Sequence, residues 1–137
     1  MTVQLNPYLN FRDTARAAME FYHGVFGGDL DLGSYGEMDM FNNPEEAHKI
    51  MHGMLKGDHG VILMGSDVPN GIDCVPNSSV SLSGDDTAVL TAWWEALAAG
   101  ANIAEPLTQA PWGDTFGMLT DKFGVPWMVN IAGSTSD

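Results

Sequence analysis

The sequence predicts an α+β fold in which one βαβββ module occurs twice. Short segments with alternating apolar residues predict the strands, and two segments with apolar residues at helical spacing predict the helices. Strand, helix and three further strands follow in this order in both halves, although the halves share little sequence. Each half-sheet keeps one face that its helix does not cover, so we expect curved mixed sheets around a shared cleft.

The chain has 137 residues, the length of one ordinary domain. Its apolar content of 45% is typical of a globular protein and argues against disorder. We expect a single domain at residues 1–132, with modules at about 1–68 and 78–132. The small polar residues at 133–137 predict a flexible tail.

In the first module, alternation predicts a strand at 3–11, and Asp13 or Thr14 is expected to cap the helix that follows. Gly27 and Gly28 are expected to end this helix. Its apolar stripe comprises Ala15, Ala18, Met19, Tyr22, Val25 and Phe26. The remaining segments are predicted as strands at 29–36, 48–56 and 61–66, with a loop at 37–47 and a hairpin turn at 57–60.

The second module repeats the order after a turn-rich stretch at 67–77. A strand at 78–83 precedes a helix that Asp85 or Asp86 is expected to cap and Gly100 to end. The predicted buried face of this helix comprises Val89, Leu90, Trp93, Ala96 and Leu97. The last three strands are predicted at 102–107, 116–120 and 127–131, with a turn at 122–124.

Charge and cysteine content exclude several classes of function. The chain has 5 basic and 18 acidic residues, a net charge of −13, whereas nucleic acids and anionic membranes need a cationic partner. No apolar run approaches a membrane span, and the first residues lack the features of a signal peptide, so we expect a cytoplasmic protein. Cys74 is the only cysteine, which excludes an internal disulfide and a thiolate cluster, and we interpret it as a bystander.

Several segments resemble a known family, and the segment at 116–128 is the most specific of them. These segments are PYLNF at 7–11, VFGG at 25–28, IMHG at 50–53, ILMGSD at 62–67, WG at 112–113 and FGMLTDKFGVPWM at 116–128. Over nearly the whole chain, the sequence resembles the PhnB-like branch of the vicinal oxygen chelate superfamily. That superfamily also holds glyoxalase I, bleomycin-resistance proteins and extradiol dioxygenases.

The resemblance implies paired βαβββ modules, the order that the hydrophobic pattern predicts independently. It also implies a homodimer, often with clefts near the subunit boundary. Members of this branch are sometimes labelled demethylubiquinone methyltransferases. The chain has no Gly-rich cofactor loop after a strand of a parallel α/β pattern, so the sequence does not support that activity.

Metal-dependent relatives hold a divalent ion with ligands from four strands. Offsets from the neighbouring motifs place the corresponding positions at Asn6, Met64, Ser79 and Met128. None of them is a histidine or a carboxylate, the ligand types that nickel, zinc, iron or manganese needs. Thioethers suit Cu(I), but two methionines alone are a weak indication. We therefore expect no metal at the family position and no cofactor.

His48 and His52 are four residues apart, a spacing that places both side chains on one face of a strand or helix. Lys49 occupies the position where a zinc protease motif has its glutamate. A structural or pocket-lining role is favoured, and a metal or acid–base role is the alternative. His52 is the stronger candidate of the two. His23 and His59 are expected to face solvent.

Strand alternation predicts a mixed apolar and polar lining for the cleft, as small-molecule sites tend to have. The predicted lining residues are Asn6, Tyr8, His52, Met54, Met64, Ser66, Ser79, Ser81, Trp112, Phe116, Met118 and Met128. Asn10 and Ile62 fall on the same faces. Each methionine can equally be core filler. Trp112 is expected in a loop, where it could close over a ligand or a dimer partner.

A general acid or base needs a titratable group aimed at the substrate. The weak catalytic candidates are His52 and Asp67, followed by Asp114 and Glu37. We therefore expect a metal-free small-molecule binding protein that acts as a homodimer. One alternative is a metal-dependent lyase, isomerase or dioxygenase-like enzyme that uses His52. A second is a drug-sequestering protein of the bleomycin-resistance type.

Overall fold

A computed structural model of the protein describes residues 4–37, 44–74 and 76–133. The chain divides into two compact units, Met1–Pro76 and Asn77–Asp137, and each contains one strand, one helix and then three strands. This confirms the predicted α+β fold of two βαβββ modules. We refer to the units as the first and second module. Their assignment to a single domain with a shared cleft stays a prediction.

The first module is a four-stranded mixed sheet with one helix. Its elements are β1 (Tyr8–Phe11), α1 (Ala15–Phe26), β2 (Asp29–Ser34), β3 (Ile50–Lys56) and β4 (Ile62–Asp67). The strand order is β1-β4-β3-β2, with β1 parallel to β4 and the other pairs antiparallel. Short 3-10 turns at Pro44–Glu46 and Asp58–Gly60 lie before and after β3.

The second module has the same architecture. Its elements are β5 (Val80–Gly84), α2 (Thr87–Ala98), β6 (Asn102–Gln109), β7 (Thr115–Thr120) and β8 (Pro126–Ile131). The strand order is β5-β8-β7-β6, again with the first strand parallel to the last and the other pairs antiparallel. The closing turn before β8 contains Gly124 at a φ of 86°.

Two glycines allow helix α1 to lie close against the first sheet. Gly53 and Gly65 are partners on β3 and β4. A Cβ on Gly65 would stand 3.1 Å from the Met19 sulfur, and one on Gly53 would stand 3.5 Å from Met19 Cγ. Met19 is fully buried. The sheet face toward α1 is therefore core, and its strand residues Leu9, Phe11, Leu55 and Leu63 are buried as well.

In the second module a tryptophan takes the corresponding place. A Cβ on Gly117 of β7 would stand 2.7 Å from the Trp94 ring, so this glycine leaves room for the indole. The buried residues of α2 are Leu90, Trp94 and Leu97. The prediction of Trp93 on the buried face is therefore wrong by one position, because the helix turns Trp94 toward the sheet and leaves Trp93 half-buried.

The two helices begin in different ways. Asp86 caps α2 as predicted, since its side chain accepts a hydrogen bond from Val89 N at 3.1 Å. Thr14 is the N-cap residue of α1, as one of the two predictions had it, but its side chain makes no cap hydrogen bond, and Asp13 has a φ of 69°. The carboxylate of Asp67, at the end of β4, instead accepts from Ala15 N at 3.0 Å.

The observed strands differ from the predicted ones mainly in where they begin. Strand β1 starts at Tyr8 rather than at residue 3, and β3 starts at Ile50 rather than at residue 48. Residues 1–3, 38–43, 75 and 134–137 lie outside the described residues. Of the predicted tail at 133–137, the structure describes only Gly133, whose N–H donates to Asp114. Across the described ranges, no helix is long and apolar enough to cross a membrane. The cytoplasmic location stays a prediction.

Candidate functional site

The face of the first sheet turned away from α1 carries the polar and sulfur-containing side chains that the sequence singled out. We call it the first open face. Along β1, β3 and β4 its residues alternate with the buried core positions and are mostly half-buried. Its residues are Tyr8, Asn10, Asp31, His52, Met54, Ile62, Met64 and Ser66. Strand alternation predicted this set correctly except for Asp31, which the sequence analysis did not place there, and the role of the residues stays a prediction.

One row of side chains crosses all four strands of the first open face. Tyr8 is the register partner of Met64, Met64 is the partner of Met54, and Met54 is the partner of Asp31. Asn6 lies just before β1, and its Nδ2 donates to the Met64 sulfur at 3.9 Å. The row therefore runs from a phenol through two thioethers to a carboxylate.

The neighbouring row is more polar. Asn10 is the partner of Ser66, and His52 is the partner of Gly33. Because Gly53 is paired with Gly65, His52 and Ser66 are neighbours on adjacent strands. Neither an ion pair nor a hydrogen bond engages the His52 imidazole within the described part of the chain.

Tyr35 belongs to this region, and sequence reasoning missed it. Its hydroxyl donates to the Asp67 carbonyl at 3.0 Å. Burial raises the pKa of Tyr35, with further contributions from the neighbouring Tyr8 and Asp67, so the phenol keeps its proton and acts as a donor at neutral pH. The predicted strand at 29–36 included Tyr35, but β2 ends at Ser34 after a register irregularity, so alternation alone does not place this side chain.

His48 does not join His52 on a strand. It is exposed and lies before β3, which begins at Ile50. An irregularity in the register between Gly33 and Ser34 further breaks the alternation at this end of the sheet. The two histidines are therefore not presented as a pair, and His52 alone belongs to the open face.

The carboxylates that were weighed as acids or bases are engaged in holding the backbone. Asp67 is buried, and it accepts from Ala15 N and from Ile50 N at 3.0 and 2.9 Å. Glu37 accepts from Ser34 N at 3.2 Å. Asp114 accepts from Gly133 N at 2.8 Å, and this bond, with one from an asparagine side chain, lowers its pKa. These contacts favour structural roles for all three.

A buried cation lies at the end of the first module where β3 begins. Lys49 is 4% exposed, and its Nζ lies 2.9 Å from Asp13 Oδ1 and 3.4 Å from Glu46 Oε1. It also donates to Asn70 Oδ1 at 2.9 Å. The bond to Asp13 is the main cause that raises the pKa of Lys49. Lys49 therefore joins three segments of the module and is not available to an anionic ligand.

The second module presents an equivalent row on its own open face, the face away from α2. Ser81 is the partner of Met128, Met128 of Met118, and Met118 of Glu105. Two thioethers and a terminal carboxylate thus recur in the same order. Phe116, two residues before Met118, stands where the first module has His52. We call this face the second open face.

Two further predicted residues lie at the margins of the second module. Ser79 is exposed and precedes β5, two residues before Ser81, as Asn6 precedes Tyr8 in the first module. Trp112 lies in the loop between β6 and β7 and is 75% exposed. The loop is closed by a bond from Ala110 N to the Asp114 carbonyl at 2.6 Å. Trp112 therefore lies at the tip of the β6–β7 hairpin.

The residues at the superfamily's metal positions do not fit a divalent ion. In the first module these are Asn6 and Met64, whose side chains contact each other through the amide nitrogen. In the second module they are Ser79 and Met128. Amide, hydroxyl and thioether groups carry no charge to offset that of a borderline or hard cation. No group of three or more histidine, cysteine or acidic side chains could hold a metal among residues 4–37, 44–74 and 76–133.

Comparison with known proteins gives a consistent result. The YjdN protein of Escherichia coli is 33% identical over 93% of this chain and 94% of its own length. The crystal structure of PA1353 from Pseudomonas aeruginosa matches with a TM-score of 0.81 and 34% identity, over 97% of this chain and all of that one.

A PhnB protein from Bacillus cereus matches with a TM-score of 0.72 and 25% identity, covering 95% of this chain and 100% of that one. This neighbour supports the PhnB-like branch. The family model of the glyoxalase, bleomycin resistance protein and dioxygenase superfamily matches residues 4–129. The chain therefore belongs to the Glyoxalase/Bleomycin resistance protein/Dioxygenase superfamily, as the sequence motifs indicated.

Proposed function

We propose that this protein binds a small organic molecule on the first open face, without a divalent metal at the superfamily's ligand positions. The observation that carries the proposal is His52, which is half-buried and unbonded within the described chain. It stands beside the hydroxyl of Ser66 and one row away from two thioethers. An imidazole left unpaired among such groups favours a role in ligand binding.

The two rows suggest how a ligand is oriented. Met54 and Met64 form a polarisable apolar wall, and thioethers make favourable contacts with aromatic rings. His52 and Tyr8 supply hydrogen-bonding groups next to that wall, whereas Ser66 is buried. A ligand with one flat apolar part and one polar end fits this arrangement. Lys49 is already paired with Asp13 and Glu46, so this cation does not serve a strongly anionic group.

Binding is better supported than turnover. Asp67, Glu37 and Asp114 are occupied by backbone donors, which leaves His52 among the four acid–base candidates that the sequence suggested. The metal-dependent enzyme that is the alternative would need a metal from a different ligand set. Sequestration of a cationic drug is compatible with the net charge of −13 and with Asp31 on the face. Such a role would be one form of the small-molecule binding proposed here.

The test of this proposal is a thermal-shift screen of a metabolite panel, followed by native mass spectrometry of the protein as purified. We expect at least one compound to raise the melting temperature of the wild type, and His52→Ala to weaken its binding. His48→Ala is the matched control, because His48 is exposed and lies outside β3. Equal loss of affinity in both variants, or no loss in His52→Ala, would contradict the assignment.

Metal content is a separate measurement. We expect protein purified without a chelator or a tag to contain no stoichiometric nickel, zinc, iron or manganese. A stoichiometric divalent ion that His52→Ala abolishes would favour the metal-dependent enzyme instead.

We also propose that the protein is a homodimer, as the superfamily resemblance implies. Exposed apolar side chains support this state, among them Trp112 at 75% and Ile103 at 44% exposure. Sedimentation at micromolar concentration is expected to give twice the chain mass of 14.7 kDa. A single species at the chain mass would overturn the dimer.

A further inference from the structure

Three soft or borderline donor groups lie together on the first open face. Met54 and Met64 are direct cross-strand partners, a relation that places their Cβ atoms about 5 Å apart. His52 is two residues before Met54 on β3, so it shares the face. All three side chains are half-buried, neither sealed in the core nor fully exposed. Long, flexible methionine side chains can converge from such positions.

These donors match one class of cation. Thioether sulfur is a soft ligand that selects Cu(I), and imidazole also suits copper, whereas hard divalent ions need oxygen ligands. At the superfamily's metal positions the sequence offered two other thioethers in combination, Met64 and Met128, without a histidine in reach. The register of the sheet supplies the missing imidazole, because it places His52 diagonally beside Met64.

We propose that His52, Met54 and Met64 form a binding site for Cu(I). The site differs from the superfamily's divalent position, since it shares only Met64 with it and draws two donors from β3. Asp31 is the register partner of Met54 and supplies a carboxylate next to the site. With a net charge of −13, the chain also attracts a monovalent cation rather than repelling it.

The second module provides an internal control for this proposal. Met118 and Met128 are cross-strand partners in the same relation, and Glu105 is the partner of Met118. Phe116 occupies the place of His52, so the second open face has the two thioethers but no imidazole. The proposal therefore predicts tight binding at the first open face and weak binding at the second.

The test is anaerobic titration of the reduced protein with Cu(I) against a chromogenic Cu(I) chelator. We expect one equivalent per chain, weakened more than about tenfold by His52→Phe, Met54→Leu or Met64→Leu. Met118→Leu and Met128→Leu should leave this binding unchanged. Phe116→His should create a second equivalent, because it gives the second module the same three donors.

A direct readout uses protein labelled with 13C at the methionine methyl groups and titrated with Ag(I), a redox-inert analogue. The methyl resonances of Met54 and Met64 should shift together, while that of buried Met19 stays fixed. Cys74→Ser is the essential control, because Cys74 is the one thiol of the chain.

The proposal is overturned if Cys74→Ser abolishes binding, if the methionine variants bind as the wild type does, or if the protein does not compete with the chelator. Loss of the Cu(I) site would leave the small-molecule proposal standing, since that proposal is tested by organic compounds in the absence of copper. A compound that binds, together with no Cu(I) binding, would therefore support the small-molecule proposal and overturn the Cu(I) proposal.

Discussion

The two modules share one topology, yet each holds its helix in a different way. In the second module, Asp86 caps α2 by accepting from Val89 N, only three residues further along the chain. In the first module, Asp67 reaches α1 from the far end of the module, 52 residues along the chain from Ala15. The same carboxylate also bonds Ile50 N at the start of β3.

This contrast shows two routes to the same fold. The second module relies on local bonds, and its buried Asp121 likewise serves Phe123, Val125 and Trp127 within six residues. The first module depends on one buried residue, Asp67. Its carboxylate joins a helix and a strand, and its backbone carbonyl accepts from Tyr35. We therefore expect the first module to be more sensitive to a single polar substitution.

The largest effect is expected for Asp67→Ala. It leaves two buried N–H groups without their charged acceptor, so the free energy of unfolding should fall by about 4 kcal/mol. Asp86→Ala removes one exposed cap and should cost about 1 kcal/mol. Urea unfolding followed by circular dichroism measures both. If the two substitutions cost the same, the contrast between long-range and local support of the helices is wrong.

A smaller effect is expected where each helix approaches its sheet through a glycine. Gly117→Ala should destabilise by about 2 kcal/mol, because its Cβ would stand 2.7 Å from the Trp94 ring and 3.0 Å from the Leu107 Cα. Gly53→Ala should cost about half as much, since its closest neighbour, a Leu32 methyl at 3.0 Å, can rotate away. Thermal unfolding of both variants checks the order, and a reversed order would show that α1 packs more rigidly than α2.

The third prediction concerns how the stability of each module depends on pH, starting with Asp114 in the second module. Hydrogen bonds from Gly133 N and Asn130 lower the pKa of Asp114, so its stabilisation is present above the ordinary value of 3.8 and is lost as the pH falls through the folded pKa. The stability difference between wild type and Asp114→Asn should therefore shrink on acidification below pH 3.8. A difference that persists unchanged at pH 2 would contradict this linkage.

In the first module the bond to Asp13 raises the pKa of Lys49, which gives the opposite dependence. Its stabilisation is fully present below the ordinary value of 10.5 and is lost as the pH rises through the folded pKa. The difference between wild type and Lys49→Met should hold from pH 6 to 10 and shrink above 10.5. Urea unfolding across this range checks it. A difference that shrinks below pH 9 would contradict the prediction.

Much of the fold could be predicted from sequence because the signals are local. Alternation gave the open-face residues, Asp86 precedes an apolar stripe as caps do, and glycines mark the end of α1. Asp67 as the cap of α1 could not be predicted, since it depends on β4 lying parallel to β1. The sequence pattern also missed that Trp94 is buried, because the buried face of α2 is shifted by one residue from the predicted face.

For the site, the sequence predicted only which side of each sheet a residue lies on. Alternation assigns Met54 and Met64 to one side of the sheet, but it cannot say which residues are register partners. The approach of His52 to Met64 follows from the pairing of Gly53 with Gly65, which only the structure shows. Tyr35 was missed because its role depends on a bond to the Asp67 carbonyl, a group that sequence patterns do not single out.

The central claim is that ligands bind on the first open face. Its most direct test is a 13C methionine-methyl NMR titration with a compound that stabilises the protein in the thermal-shift screen. We expect the resonances of Met54 and Met64 to shift in a saturable way that His52→Ala weakens, while Met19 stays unchanged. A compound that binds but leaves the Met54 and Met64 resonances unmoved would contradict the account.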